Sequence, residues 1–446
     1  VWKIIIPLLT AVIFFFADKG TNYTALSGGF APHGASKIFL ALATSGVFFA
    51  YLGFRQALDY AGEAKNPQKD VPRATILSVL ITMVIYVALQ IGFIGVINWH
   101  AAGLHVGDWT GLIGSSWASS PFVSALQAAS IGWMATVLLI DSAVSPSATG
   151  WVYMGAGARN VYGVAVHGFI PKIFQRMNSF GIPWVSAIVT AVVGIILMYP
   201  APSWNTMVGL ITSMTALTYI VGGVALPILR KHAPNLPRPY RLPWMWFWSP
   251  ISFLAAMLVV YWGGYATDVV VYALAFMGLP IFVWYFALRN DWFDTDRAKQ
   301  LAVAASLVFL GAWFYLMDAG GYVLRIAPPA AGSLGFVVYW IAQSADVLFF
   351  CGALWLLSNA KGKPNVMSGI WVIVMLLALL PVTYYGPFGP YKVSPVGFPW
   401  GTLIAIGIGL ICWGWGVLVG YNTEALQQIT SKAAAAPSGA AGAPAS

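Results

Sequence analysis

The chain has 446 residues, of which 59% are apolar and only 8% are Asp, Glu, Lys or Arg, against about 25% charged in an ordinary soluble domain. That balance excludes a water-soluble globule. The formal charge of +9 would suggest nucleic acid in a soluble protein, but here the basic residues fall in short loops between apolar runs, where membrane orientation accounts for them and no nucleic-acid partner is implied.

Apolar runs of about 17 to 25 residues, each able to cross about 30 Å of hydrocarbon as a helix, recur along the whole chain. In chain order they predict twelve spans, at about residues 1–17, 36–60, 75–97, 121–146, 183–200, 204–226, 245–265, 268–288, 300–318, 334–357, 368–386 and 399–420. Stretches such as "AVIFFFA" and "VIVMLLALL" do not alternate apolar and polar, which excludes a β-barrel. The expected fold is all-α, a polytopic transmembrane bundle. Sixteen of the 22 Lys and Arg residues fall in loops on one side and four on the other, which places the first side, and the C-terminal tail with it, in the cytoplasm. Residues 433–446, "AAAAPSGAAGAPAS", have no periodic apolar face and read as a disordered tail.

Cys351 and Cys412 lie in predicted spans without CxxC spacing, and the five histidines form no HExxH pattern. No cofactor, metal centre or enzymatic constellation is expected. His100, His105 and Asp108 share a polar outer loop, where a solvated loop is the plainer reading than a metal site. Asp18, Asp268 and Asp318 close spans at predicted outer boundaries, where a solvated helix end explains them. "PWMWFWSP" and "ICWGWG" sit at span ends, where amphipathic rings anchor in the headgroup region.

The segment 45–73, "SGVFFAYLGFRQALDYAGEAKNPQKDVPR", departs from a lipid-facing helix. Gly46 and Gly53 bracket aromatic residues. Arg55, Asp59 and Glu63 then follow at i, i+4 and i+8, on one face of a continuous helix, and a basic, Pro-punctuated loop comes next. An interrupted helix frees backbone groups to bind a polar ligand, which hydrocarbon tolerates only where they line a cavity. An ionisable group at depth needs a partner, so Arg55 and Asp59 are expected to pair. Two readings stand on these residues alone: a ligand site, or close helix packing at the glycines with charges that snorkel to the boundary.

"FFAYLGF" followed by "GEAKNPQKDVPRA" resembles the sixth helix and following loop of the amino acid-polyamine-organocation (APC) transporter superfamily. "DSAVSPSATGWVYMGAGARNVYGVAVHGFIPKIFQRMNSFGIP" resembles its eighth helix and cytoplasmic return, with His167 and Ile170 where the pattern has Asp and Leu. The resemblance implies the inverted-repeat, leucine-transporter-type fold, with substrate at mid-membrane where helices 1 and 6 unwind. It implies that Phe49, Ala50, Tyr51, Gly53 and Phe54 line the substrate site, Phe49 and Phe54 acting as gates. Many relatives carry an acidic residue directly after GF. Arg55 departs from that, disfavouring a basic amino acid or polyamine and favouring an acidic or neutral substrate.

"VWKIIIPLL" resembles the fifth helix of members in which a lysine occupies the place of a coupling cation. By itself Lys3 reads as an interfacial snorkeller. By resemblance it is the proton-coupling group, with Ser145, Ser147 and Thr149 as oxygen donors opposite. Asp141 admits two readings, a bond within its own helix or a relay.

The resemblance covers about residues 1–290, as family helices 5 to 12, with additional helices over 291–432 and no counterpart of helices 1 to 4. The chain also begins at Val1 without Met. The expectation is therefore an N-terminally incomplete record of a secondary active transporter in the plasma membrane. It would move an amino acid or related amine, with protons and in contact with lipid, by alternating access. The competing expectation is a transport-inactive, APC-derived structural or anchoring subunit that partners another membrane protein.

Overall fold

The computed structural model describes residues 2–18, 20, 22–24, 34–198, 204–236, 238, 240–319, 334–391 and 393–435, and every regular element among them is helical. In order these are α1 (Trp2–Ala17), a 3₁₀ turn Asn22–Thr24, α2 (Ala35–Thr44), α3 (Val47–Ala50), a 3₁₀ turn Leu52–Arg55, α4 (Gln56–Asp59), a 3₁₀ turn Ala61–Glu63, and α5 (Pro67–Val96). Then come a 3₁₀ turn Gly111–Gly114, α6 (Pro121–Ala128), α7 (Gly132–Val166), a 3₁₀ turn Lys172–Gln175, α8 (Trp184–Met198), α9 (Trp204–His232), α10 (Met245–Trp262), and α11 (Tyr265–Phe282), which a π-helical turn, Val283–Ala287, prolongs. The last are α12 (Asp296–Ala319), α13 (Leu334–Leu357), α14 (Gly362–Tyr385), α15 (Trp400–Val419) and α16 (Glu424–Ala435).

Among the described residues, 8 helices are long and apolar enough to cross a bilayer, or 9 if α2 and Val47–Asp59, bent by 45° at their junction, form one broken span. Two shorter apolar helices, α1 and α8, join them. This is an all-α polytopic bundle, and most helix limits lie within a few residues of the expected spans.

The main departure is the expected span at 121–146. Here α6 ends after one short run because Ser130 adopts a left-handed conformation, φ 61°, while the Ile131 and Ser130 amides donate to the Leu126 and Gln127 carbonyls. That is a Schellman closure without its usual glycine. The chain then restarts as the 35-residue α7, about 52 Å long, which carries Arg159 on a helix rather than in the expected loop. Residues 433–435 of the expected tail complete α16, and 436–446 lie outside the described residues.

The chain forms two compact units. One comprises Val1–Gly34, Tyr51–Gly163 and Ile173–Ile195, the other Ala35–Ala50, Val164–Lys172 and Ile196–Ser446. In the first, α1 packs along α5. Gly92 admits Phe14, since a Cβ there would stand 2.8 Å from Phe14 Cβ, and the Phe14 ring meets Phe122 edge-on at 5.3 Å. The buried Asn22 donates to the Ile94, Gly95 and Ile97 carbonyls and accepts the Trp99 indole N–H. One side chain so satisfies carbonyls that the end of α5 would otherwise leave orphaned.

In the second unit α9 lies against α10. A Cβ at Gly223 would stand 2.7 Å from Phe253 Cβ and 3.0 Å from the Ser249 carbonyl. Ser249 donates to the Gly223 carbonyl at 2.5 Å and accepts from the Trp413 indole at 3.1 Å. Trp413 therefore ties α15 to this pair, a bundle role in place of the expected headgroup anchor. At the other end of the hairpin, Arg238 donates to the Leu229, Ala233, Pro234 and Leu236 carbonyls, and Arg230 donates to Leu242.

The expectation for Asp268 is overturned. It is 0% exposed, because α14 and the turn after it cover the start of α11: Thr383 touches its carboxylate, and the Tyr265 amide donates to the Phe388 carbonyl. Asp18 does lie just past the end of α1, where its carboxylate accepts from the Gly20 amide and the Tyr23 hydroxyl. The Asp318 side chain lies outside the described residues.

Replacing Gly223 by Ala overpacks the α9–α10 contact and is expected to lower stability by about 1–3 kcal/mol. A drop in melting temperature of the detergent-solubilised protein, absent in Gly222→Ala, where an added Cβ meets nothing within 4 Å, checks it.

Candidate substrate and coupling site

The 45–64 segment is broken where the sequence places the first of its three glycines. α2 ends with the Ser45 amide on the Ala41 carbonyl, and α3 begins with the Ala50 amide on the Gly46 carbonyl. Gly46 has φ +85°, and a Cβ there would meet Val208 Cγ1 at an ordinary 3.7 Å. Backbone conformation, not crowding, therefore requires glycine at this point. Gly53 differs: its φ is not left-handed, and an added Cβ would meet nothing within 4 Å.

Beyond the break the chain advances in short helical pieces. Phe49 is half-buried and Ala50 exposed at the end of α3. Tyr51, half-buried, meets Tyr86 of α5 edge-on at 5.4 Å. Gly53 is exposed in the 3₁₀ turn, and Phe54 lines a shallow apolar hollow with Thr75, Ile76, Val79 and Leu80 of α5.

The charged residues do not share one face. Arg55 Nε lies 3.5 Å from Asp59 Oδ1, the pairing expected across one turn. At Tyr60, φ −104° and ψ 15°, the helix stops, so Glu63 turns away and pairs with Arg159 of α7. The Arg159 guanidinium also lies 4.3 Å over the Tyr60 ring, and the Tyr60 hydroxyl donates to the Val152 carbonyl at 3.1 Å. Gly155 makes room, because a Cβ there would stand 2.6 Å from the Tyr60 oxygen. Tyr60 and Arg159 escaped the sequence reading. Their only signal was a lone arginine two turns before the end of a small-residue helix.

Lys3 reaches α7. Its ammonium donates to the Thr149 hydroxyl, which itself donates to the Ser145 carbonyl at 2.9 Å. The hydroxyl hydrogen is thus committed within the helix, and a lone pair faces the amine. Ser147 hydrogen-bonds to the Ala143 carbonyl; two residues from Thr149, it stands about 200° round the helix from the Lys3 contact. The neighbouring Trp2 indole donates to Asp141 at 2.6 Å, so Asp141 joins two helices and neither of its expected readings describes that bond. Lys3 is exposed. In the loop between α5 and α6 Asp108 accepts the Gly111 amide, and among the described residues no three His, Cys, Asp or Glu side chains gather as a metal site.

The described residues thus form a helical bundle with an apolar span broken at a glycine and an ammonium facing a hydroxyl-bearing helix. Residues 1–287 match the family profile described as "Amino acid permease", so the chain belongs to the amino acid permeases of the APC superfamily and is an integral, multi-pass membrane protein. It is 28% identical over 435 residues to the glutamate/serine transporter AimA of Bacillus subtilis (strain 168), covering 96% of this chain and 66% of that one. It is 30% identical over 358 residues to the aspartate-proton symporter of the same organism, covering 78% of this chain and 64% of that one. A methylthioribose transporter from that organism is 26% identical over 251 residues, with 54% of this chain and 50% of that one covered. The chain thus spans just under two thirds of the length of the first two relatives.

Gly46 and Gly53 make a paired expectation. Gly46→Ala is expected to destabilise the protein by about 1–2 kcal/mol, the cost of a left-handed non-glycine residue. Gly53→Ala costs no such strain. Chemical denaturation of the two variants side by side distinguishes them.

Proposed function

We propose that the chain forms the greater part of a secondary active transporter, moving an acidic or small neutral amino acid together with protons by alternating access. The observation that carries this reading is the glycine-made break at Ser45–Gly46, immediately before the aromatic segment Phe49–Phe54. Such breaks expose backbone groups that bind polar solutes within a membrane. In this reading Phe49, Ala50, Tyr51, Gly53 and Phe54 hold the substrate, and residues 1–290 make up the transport body. The Lys3–Thr149 contact supports proton coupling, because an amine that alternates between a hydroxyl partner and water can take up and release a proton during the cycle.

The charged face supports a choice of substrate. Arg55, balanced by Asp59, places no unpaired negative charge next to Gly53 and Phe54 that would attract a cationic amino acid. The printed names of two relatives, a glutamate/serine transporter and an aspartate-proton symporter, point the same way. The Tyr60–Glu63–Arg159 contacts would act as a latch that parts and reforms as the segment moves. In orientation, the basic loops and the C-terminus lie in the cytoplasm and the protein sits in the cell membrane.

Proteoliposome uptake tests the reading. Glutamate, aspartate or serine is expected to accumulate under an inward proton gradient, and lysine and putrescine are not; uptake of the cations alone would overturn the substrate choice. Phe54→Ala is expected to lower uptake roughly tenfold or more at unchanged expression. Lys3→Ala is expected to abolish dependence on the proton gradient while counterflow persists, and coupling unchanged in that variant would refute the role given to Lys3.

A further inference from the structure

Asp268 lies far in sequence from the residues assigned above, and its surroundings are those of a ligand site. The carboxylate is 0% exposed, in a core that also buries Ser213 and Thr383 at 0%. Among the described residues no Lys, Arg or His forms an ion pair with it. Its Oδ2 receives one hydrogen bond, from Thr383 at 3.3 Å, but the single hydroxyl hydrogen of Thr383 is shared with the Leu379 carbonyl at 3.1 Å. Among the described residues its Oδ1 has no hydrogen-bond partner, nor has the Ser213 hydroxyl of α9, nor the Tyr272 hydroxyl one turn further along α11. A buried carboxylate left this way costs several kcal/mol, so the site calls for a positive partner.

Two of these unpartnered oxygens, Asp268 Oδ1 and Ser213 Oγ, lie about Gly263, where the chain passes from α10 to α11. A Cβ on Gly263 would stand 2.6 Å from Ser213 Oγ, 2.9 Å from the Val260 carbonyl oxygen and 3.6 Å from Asp268 Oδ1. The Gly263 Cα is thus packed directly against three oxygens, with no room for a side chain among them. The Val260 carbonyl belongs to the last turn of α10 and accepts the Gly263 amide at 2.9 Å, which leaves its second lone pair available. A helix C-terminus carries partial negative charge, which favours a cation there.

We propose that Asp268 Oδ1, Ser213 Oγ and the Val260 carbonyl bind an alkali-metal cation. The donors are all hard oxygens, which suit a hard ion. They bring one negative charge, so a monovalent ion leaves the site neutral, whereas a divalent ion would leave a net charge buried among apolar side chains. The site is separate from Lys3 and Thr149 and does not depend on the transport reading.

The test is the thermal unfolding of the full chain in detergent, with NaCl, KCl or choline chloride at constant ionic strength. A saturable rise in melting temperature of about 2–5 °C is expected with one of the alkali ions over choline. Asp268→Asn, an isostere that removes the charge, is expected to abolish the rise. Ser213→Ala, which removes one neutral ligand and keeps the fold if the Asn variant does not, is expected to weaken the apparent affinity roughly tenfold. Identical melting in all three salts overturns the assignment, as does a cation dependence left intact in either variant. A carboxyl neutralised by a proton would be stabilised by acid and indifferent to the salt, and that result also overturns it.

Discussion

In hydrocarbon every backbone N–H and C=O must find its partner within the chain, and the described structure can be read as a series of answers to that demand. Along α5, α9 and the helices after them the answer is the unbroken helix. At the end of α5 it is the Asn22 side chain, which reaches three carbonyls. At Ser45–Gly46 the demand is met less completely, and only glycine can take the conformation required there. Backbone groups left without helical partners are tolerated there only where protein or water covers them, and in the proposed function they and the aromatic segment after them form one device.

Around that device the charges are arranged in pairs. Arg55 faces Asp59 and Glu63 faces Arg159. Because Glu63 and Arg159 are both substantially exposed, their ion pair contributes little to stability where water reaches it, about 0–1 kcal/mol. The Tyr60 ring beneath the guanidinium and the Tyr60 hydroxyl on Val152 fix the geometry more than the charge does. The buried aromatic core around Phe336 and Tyr384, stacked at 3.6 Å, is by contrast held by packing.

Most of the fold was legible in the sequence because a span announces itself by length and apolarity, and those terms dominate the energetics of insertion. The failures share a cause, which is that the deciding partner lies far along the chain. Ser130 gave no sign that α6 would close on a left-handed serine. Asp268 looked like a solvated helix end because nothing local shows that α14 will cover it. In the candidate site the Arg55–Asp59 pair was readable from spacing, since it is local, whereas the substrate role of the 49–54 segment was expected only by resemblance. The reach of Lys3 to Thr149 could be expected only by resemblance, and the part played by Tyr60 could not be read at all, because it depends on the absent side chain of Gly155.

The α9–α10 hairpin has a consequence for biosynthesis. Gly223 and Phe253 bring the two helices together, while Arg238 and Arg230 gather the carbonyls of the turn between them, so the pair closes on contacts that span only a few tens of residues. Contacts so near in sequence lose little chain entropy on forming. The hairpin can therefore assemble as soon as α10 has left the ribosome and entered the lipid, before α11 to α15 exist. Later helices would then meet a wall already built, with Ser249 waiting for the indole of Trp413.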